Sequence, residues 1–168
     1  MATPGSGTVS HLAGVRLMHV ANVKFEHIPY KGASQAIPDL LGGNVDFYMS
    51  SVPSIQSQAA AGRVRVLAVT SKRRSPIFPD VPTVGETYKG FEAVTWFGLL
   101  GPANLPKDMV ASLNTEVNKA LKAEDLKKKL DEQGVDLIGG TPEQFGKLVR
   151  EDIVKWGKVV KDSGAKVD

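Results

Sequence analysis

Residues able to hold an anion occur first in the stretch TPGSGTVSHL, residues 3 to 12, where a turn of Pro and Gly leads directly into a helical pattern. The start of a helix leaves backbone amides unpaired and carries roughly half a positive charge, so it suits a carboxylate or a phosphate. The alternative is an ordinary glycine turn. The stretch is not a Walker A loop, because it lacks the Gly-Lys-Ser/Thr ending. The candidate binding groups are backbone amides and hydroxyls of Thr3, Gly5, Ser6, Gly7 and Thr8.

Two later turns also lead into helical patterns and carry similar groups. In the first, Tyr30 offers a hydroxyl to the other end of a small ligand, and the residues that follow offer amides. The second turn is rich in serine. The alternatives are that Tyr30 packs on the sheet and that Ser50 only caps the next helix. The candidate residues of these two turns are Tyr30, Gly32, Ala33, Ser34, Ser50, Ser51 and Ser54.

Metal binding and catalysis find little support in the sequence. His11, His19 and His27 are eight residues apart, so no two of them lie on adjoining turns of one helix, and the chain has no cysteine. Ser10 and His11 are neighbours on a predicted helix and do not face each other, and no supporting acid is apparent. We therefore expect no metal, no cofactor and no catalytic residue.

Composition excludes other classes of function. The formal charge is +3, from 21 basic and 18 acidic residues, and the basic cluster at residues 72–74 is typical of a solvated loop, so no nucleic-acid partner is expected. With 168 residues and 42% hydrophobic composition, the chain can bury a core of one domain or slightly more. No apolar run approaches the ~18 residues of a membrane span, and no signal-peptide pattern is present in this chain.

Hydrophobic periodicity predicts the elements that must position the candidate groups. Residues 8 to 20 show apolar spacings of three and four, typical of an amphipathic helix. Predicted helices cover residues 7–21, 35–41, 51–61, 83–87, 109–121, 124–133 and 141–164. Predicted strands cover residues 24–28, 45–49, 64–70, 91–100 and 135–138.

Alternating strands and helices indicate an α/β fold with a mainly parallel sheet and flanking helices. In such sheets a ligand binds beyond the carboxyl ends of the strands, where each following helix begins. Three predicted helix starts, at residues 7–8, 33–34 and 53–54, should therefore converge on one crevice. The combined helix dipoles predict a site for a small anion that needs no arginine.

The order of the motifs resembles the extracytoplasmic solute-binding receptors of the tripartite tricarboxylate transporters, also called Bug receptors. The resemblance covers essentially the whole chain, and it is specific because several linked motifs occur in the expected order. The motifs are GSGTVSHLAG, HIPYKGASQAIPDLLGGNVD, VPSIQSQAAAGRVRVLAVTSKRRSPIFPDVPTVGET, WFGLLGPANLP and GGTPEQFGKLVREDIVKWGKVVKDSG.

This resemblance implies a periplasmic-binding-protein-like (type II) fold of two α/β lobes. Residues 1–92 would form the second, ligand-binding lobe, and residues 93–168 a crossover strand with the helical C-terminal half of the other lobe. Family members carry a signal peptide and the first half of the N-terminal lobe upstream, so the resemblance implies an N-terminally truncated chain. We expect an incomplete first lobe, weak ligand binding, and self-association or rearranged packing of the C-terminal helices.

The resemblance also implies a function. The chain would capture a dicarboxylate, a tricarboxylate or an aromatic acid in the periplasm and present it to the membrane permease subunits of the transporter. Many relatives have an Asp-Asn pair where this chain has Ser50 and Ser51, so a ligand with an ammonium group is disfavoured. His11 resembles the family's His-Leu position, where packing beneath the loop is expected rather than ligation.

Two other classes of protein could use such a crevice. A ligand-sensing domain of a transcriptional regulator shares the two-lobe plan and would require a helix-turn-helix nearby. An enzyme with an anion-substrate pocket would require an acid or base in the crevice, with Asp46 or His11 titrating unusually. Neither alternative explains the order of the motifs.

Overall fold

The computed structural model describes residues 1–163 of the chain, with side chains up to residue 161. It is an α/β structure with a small parallel sheet and helices around it. The strands are β1 (Ala2–Thr3) and β2 (Ile28–Pro29). The helices are α1 (Val9–Ala21), α2 (Ala33–Leu41), α3 (Val52–Ala60), α4 (Val84–Thr87), α5 (Lys107–Ala120), α6 (Glu124–Asp131) and α7 (Pro142–Ser163).

Strand β1 lies between two parallel neighbours. On one side it pairs with β2, with Ala2 opposite Ile28, and the amide of Ile28 donates to the carbonyl of Met1 at 2.9 Å. On the other side Ala2 forms a single parallel pair with Tyr48, where the amide of Met49 donates to the carbonyl of Ala2 at 3.0 Å. All three segments therefore run the same way and end at the same edge.

Helix α1 begins and ends at residues with clear capping roles. Thr8 has extended backbone angles, and its side-chain oxygen accepts from the amide of His11 at 3.3 Å, as expected of an N-cap. Asn22 ends the helix in the left-handed conformation, with φ of 52°, a geometry that asparagine tolerates better than most residues. Local sequence thus fixes both ends of the helix beside β1.

The core is small and joins the two ends of the chain. Ala13 of α1 packs with the buried side chains of Phe91 and Ala93, and Trp156 of α7 covers this cluster. The guanidinium of Arg16 lies 5.0 Å from the ring centre of Phe91 and donates to the carbonyls of residues 90 and 92. Helix α7 therefore packs on α1 beside this apolar cluster, and Arg16 joins α1 to the backbone of residues 90 and 92.

A second parallel pair, Val69 with Thr83, stands beside this core. Thr83 is the N-cap of α4, and Glu86 completes a capping box by accepting from the amide of Thr83 at 3.0 Å. Arg74 binds Glu86 at 2.7 Å. The hydrogen bonds from Arg74 and from the Thr83 amide lower the pKa of Glu86 to about 2, so this carboxylate is ionised at neutral pH.

The C-terminal helices are held by few contacts. Asn118 of α5 exchanges two hydrogen bonds of 2.9 Å with the backbone of Gly140, just before α7. Trp96 packs edge-on against Phe145 and donates to Asp152 at 2.6 Å. Within the described part of the chain, every fully buried residue lies at or before Ala93. The helical C-terminal region thus builds no core of its own among residues 94–161.

The predicted helices are confirmed, with ends that move by a few residues, and the predicted end at Gly164 lies outside the described residues. The strands are much shorter than predicted. Strand 24–28 reduces to Ile28–Pro29, and strands 45–49 and 64–70 reduce to the single pairs at Tyr48 and Val69. A strand requires a hydrogen-bonded neighbour, and β1 offers one over only two residues.

The predicted strands 91–100 and 135–138 are wrong for the part of the chain that the structure describes, since neither forms a strand or a β-bridge there. In 91–100 a single backbone bond, from the amide of Ala93 to the carbonyl of Thr70 at 2.9 Å, stands in place of a ladder. Several apolar side chains of these segments after Ala93 are exposed, with 90% of Phe97 and 85% of Ile138 open to solvent. The division at residues 92 and 93 stays a prediction. Contacts between α1 and α7 cross it.

The burial pattern predicts unequal effects for two matched substitutions. Phe91→Ala should lower the free energy of unfolding by about 3 to 5 kcal/mol, because it empties a site in the core. Phe97→Ala should change it by less than about 0.5 kcal/mol, because the ring is exposed. Urea unfolding followed by circular dichroism measures both. Phe91→Leu, expected to cost under about 1.5 kcal/mol, serves if the alanine variant does not fold, and equal effects at the two positions would contradict the described core.

Candidate anion-binding site

Three helix starts follow the carboxyl ends of the three parallel segments. Helix α1 begins six residues after β1, α2 begins four residues after β2, and α3 begins four residues after Tyr48. Adjacent loops touch at this edge: the amide of Tyr30 donates to the carbonyl of Thr3 at 3.0 Å. A Cβ added to Gly5 would lie 3.5 Å from the carbonyl oxygen of Tyr30. The topology thus brings the three predicted turns to one side of the sheet.

The first turn, which we call the 5–8 loop, is held by its own hydrogen bonds. The hydroxyl of Thr8 donates to the carbonyl of Gly5 at 2.8 Å. The hydroxyl oxygen of Thr3, which is fully buried, accepts from the amide of Gly5 at 3.4 Å. The amide of Gly7 donates to Nδ1 of His11 at 3.1 Å. Thr3, Gly7 and the Thr8 hydroxyl therefore shape the loop through internal bonds.

Other amides of this turn point to no partner. Among residues 1–163, the amides of Ser6, Thr8, Val9 and Ser10 have no hydrogen-bond acceptor. They precede the first intrahelical bond of α1, which is the position where a helix presents donors to an anion. Ser6 and Thr8 belong to the set that the sequence suggested, whereas the amide of Gly7 is bonded to His11, and Val9 and Ser10 are two further free donors.

In the second turn the hydroxyl of Tyr30 is already bonded within the protein. The hydroxyl of Tyr30 donates to a carboxylate oxygen of Asp39 at 2.7 Å, and Asn44 donates to the other oxygen at 3.1 Å. The bond to Asp39 raises the pKa of Tyr30, and the same bond lowers the pKa of Asp39. The hydroxyl keeps only its acceptor positions free, so a carboxylate has less to gain from it than the sequence implied.

The backbone of the second turn is open. Gly32 is the N-cap of α2 with φ of 121°, a conformation that favours glycine, and a Cβ built there would meet nothing within 4 Å. Its helix has no side-chain cap. In the described residues the amides of Ala33 and Ser34 have no acceptor. These two amides remain available to a ligand.

The third turn is a cluster of hydroxyls. The hydroxyl of Ser54 donates to the carbonyl of Ser51 at 2.7 Å, so the oxygen of Ser54 accepts from the hydroxyl of Ser50 and lies 3.3 Å from that of Ser51. Ser51 is the N-cap of α3 but forms no side-chain capping bond. Pro53 in the first turn has no amide hydrogen. We call Ser50, Ser51 and Ser54 the serine corner; it is polar and uncharged.

The first turns of α1, α2 and α3 contain no acidic residue. The other described helices do carry acids in their first turns: Glu86, Asp108, Glu124, Asp125 and Glu143. Acids at a helix start neutralise the positive end of the dipole. The three helices at the sheet edge therefore keep an uncompensated positive potential, a signal that could have been read from the sequence and was not.

A pair of histidines lies beneath the 5–8 loop. The rings of His11 and His27 stack with centroids 3.8 Å apart and planes inclined by 8°, and Nε2 of His27 is 2.6 Å from the hydroxyl oxygen of Thr3. Burial lowers the pKa of both, and nearby positive charge helps to lower that of His27 to about 4. Sequence reasoning placed His11 beneath the loop but missed His27, because the two are sixteen residues apart.

Other chemistries find no support in the described residues. Within residues 1–163, no group of three or more His, Asp or Glu side chains is arranged to hold a metal ion. In the same range, no helix has the length and apolar character needed to cross a lipid bilayer. The basic cluster 72–74 is exposed, and Arg74 is committed to Glu86.

Comparison with known sequences gives a consistent result. The family model described as tripartite tricarboxylate transporter family receptor matches residues 1–165. A UPF0065 protein of the tcbD-tcbE intergenic region in Pseudomonas sp. strain P51 is 41% identical, over 95% of this chain and 48% of its own length. A UPF0065 protein of the clcB-clcD intergenic region in Pseudomonas knackmussii is 38% identical, over 93% of this chain and 94% of its own length. The chain thus spans about half of the first relative and nearly all of the second.

Solved structures resemble the chain over nearly its whole length. Rpa4515 of R. palustris, solved with adipate, superposes with a TM-score of 0.87 at 32% identity, over 96% of this chain and 55% of that one. MatC of Rhodopseudomonas palustris, solved with bound malate, gives 0.79 at 28% identity, over 95% and 56%. The match of the family model over almost every residue, together with these likenesses, shows that the chain belongs to the tripartite tricarboxylate transporter receptor family.

Proposed function

We propose that this chain captures a small carboxylate for a tripartite tricarboxylate-type transporter. The observation that carries the proposal is the meeting of three helix starts, free of acidic residues, at the carboxyl edge of one parallel sheet. Oriented amides and uncompensated dipoles attract an anion without a charged side chain. The residues proposed to line the site are Thr3, Gly5, Ser6, Gly7, Thr8, Tyr30, Gly32, Ala33, Ser34, Ser50, Ser51 and Ser54.

The hydrogen bonds of the structure divide this set into two roles. Amides without an acceptor, such as those of Ser6, Thr8 and Ser34, contact the carboxylate directly. Thr3 and Gly7, whose polar groups are already bonded within the loop, give the loop its shape. The proposal therefore has the direct contacts in the turns before α1 and at the start of α2, and the serine corner facing a second polar group of the ligand.

The lack of charge at the serine corner bears on which class of ligand the site would accept. Ser50, Ser51 and Ser54 bond to one another and offer no carboxylate to an ammonium group. A dicarboxylate or an aromatic acid therefore suits the site better than an amino acid. The solved structures that resemble the chain and hold adipate or malate support this choice.

The proposed mechanism is binding and release, with no bond made or broken. Family membership supports delivery of the ligand to membrane permease subunits and a periplasmic location. An enzyme would require a free acid or base at the crevice, whereas Nδ1 of His11 already accepts from the amide of Gly7. Within residues 1–163, no specific contact favours a role in gene regulation.

A titration with adipate and with malate tests the binding proposal. We expect the amide resonances of Ser6, Thr8 and Ser34 to shift in the ¹⁵N-labelled chain, with a dissociation constant of about 1 mM or weaker, because the described site is an open edge. Acetamide, which is neutral and of similar polarity, is the control and should cause no such shift. Shifts confined to other regions, or none at high concentration, would contradict the assignment.

A second test places a negative charge at the serine corner. Ser50→Asp should weaken binding of either dicarboxylate by about tenfold, the repulsion of two unit charges roughly 10 Å apart at an effective dielectric near 20. Ser57→Asp, on an exposed position in the second half of α3, is the matched control and should change affinity little. The same titration measures both variants, and unchanged affinity in Ser50→Asp would remove this corner from the site.

We also infer that the chain associates with a second copy of itself. Segments 94–100 and 135–138 pair with no described neighbour, and their exposed side chains include Phe97, Leu100 and Ile138. Apolar surface and unpaired backbone in one region favour association. Exposed apolar residues are much sparser in the part that contains the core.

Sedimentation velocity over a range of concentrations checks the association. The chain should sediment as oligomers, and the double variant Phe97→Ser, Leu100→Ser should shift the distribution towards monomer, because it removes two large exposed apolar side chains. Leu67→Ser, at a 61% exposed leucine elsewhere, is the control and should not do so. A compact monomer at every concentration would refute the association.

A further inference from the structure

Two histidines beneath the 5–8 loop, His11 buried and His27 partly buried, have no role in the proposed contacts with ligand. His11 is 8% exposed, and its ring stacks on that of His27 at 3.8 Å between centroids. Each ring forms one hydrogen bond, His11 with a residue of the 5–8 loop and His27 with a residue of β1. His11 accepts from the amide of Gly7, and His27 bonds to the hydroxyl of Thr3. The pair therefore connects β1 to the start of α1 by side chains alone.

The hydrogen bonds restrict the protonation of His11. Because the Gly7 amide is a donor, Nδ1 of His11 must be unprotonated, and a neutral ring carries its hydrogen on Nε2. A second proton on Nδ1 would point at the amide hydrogen of Gly7 and break this bond. His27 bonds to Thr3 in either direction while neutral, since the hydroxyl both donates and accepts.

The surroundings also oppose a charge on the pair. Two parallel rings at this distance cannot both be cationic without strong repulsion. The charged groups that act on His27 are His11 itself and the amino group of Met1, which donates to the carbonyl of Glu26 at 2.7 Å. On helix α7, which packs on α1, Asp152 is bonded to Trp96 and Lys155 lies over the ring of Trp156. Neither contributes to the pKa of the two histidines.

We propose that His11 and His27 are positioning residues: as a neutral stacked pair they hold the 5–8 loop in the shape that presents its free amides, and protonation releases the loop. The part of this statement that concerns ligand rests on the proposed function. The part that concerns the loop stands on the geometry alone.

The direction of the pH effect follows from the lowered pKa values. His27 falls from its ordinary value of 6.5 to about 4, and burial lowers the pKa of His11 as well. A histidine with a lowered pKa in the folded state favours folding fully above its ordinary value, and this contribution is lost as the pH falls. The loop should therefore be held above about pH 6.5 and released progressively towards pH 4.

Nuclear magnetic resonance without ligand tests the loop directly. In the unaltered chain the Gly7 amide should be protected from hydrogen exchange at pH 7.5, and its chemical shift should follow the titration of His11 and His27 down to pH 4. His11→Asn keeps an acceptor oxygen near the position of Nδ1 and does not titrate, so the Gly7 shift should lose most of its pH dependence. His19→Asn, at an exposed histidine in the last turn of α1, is the matched control and should titrate like the unaltered chain.

Ligand titration at pH 7.5 separates this inference from the proposed function. His11→Ala should weaken adipate binding about fivefold, the scale of one lost hydrogen bond, and His11→Asn should restore most of it. If adipate does not bind the unaltered chain while the chemical shift of the Gly7 amide still follows the titration of the histidines, the proposed function fails and the loop inference stands.

Two results would overturn the loop inference: a Gly7 amide that ignores the histidine titration, or equal pH dependence in His11→Asn and in the unaltered chain. If acid unfolds the protein before the histidines titrate, the midpoints of acid unfolding decide. His11→Asn should then unfold at a lower pH than the His19→Asn control, because it removes a group whose protonation favours the unfolded state. Equal midpoints would overturn the inference too.

Discussion

The backbone of Ala2 is the element on which the rest of the structure depends. Its amide donates to the carbonyl of Phe47 at 2.9 Å, its carbonyl accepts from Met49, and the adjoining residues of β1 bond to β2. A strand of two residues thus fixes both neighbours in parallel. Parallel order is what sends all three following loops to one edge. Without these few hydrogen bonds the three helix starts would have no common side.

A site built from helix starts differs from one built on arginine. The dipole of each helix is a fixed partial charge and falls off within the first turn, so several must meet to bind one anion. The lack of acids in the first turns of α1, α2 and α3 preserves this potential, and the serine corner adds polarity without charge. The proposed site would recognise the acid group of a ligand rather than its carbon skeleton, in line with the different acids, adipate and malate, held in two solved structures that the chain resembles.

Much of this architecture could be predicted from the sequence, because helices are encoded locally. Thr8 caps α1, Pro53 begins α3, and Thr83 with Glu86 forms a capping box, all within short spans. Strand lengths could not be predicted, since the apolar run 91–100 resembles a strand whether or not a neighbour exists to pair with it. The sequence predicted the edge at which the three turns meet, but not which of their polar groups are bonded within the protein. The bonds of Gly7 to His11 and of Tyr30 to Asp39 depend on side-chain directions that periodicity does not give.

The exposure of the sheet edge where the three helices begin bears on how strongly the proposed site can hold a ligand. Ser34 and Ser51 are exposed, and the space before Gly32 is open, so water screens the helix dipoles where they meet. The same dipoles act several times more strongly once a second surface excludes that water. Because the described residues after Ala93 form no core, they supply no rigid wall for this purpose. In the proposed site the attraction therefore resides in the part that contains β1, and a surface that covered the bound anion would strengthen its interaction with the helix dipoles by lowering the local dielectric constant.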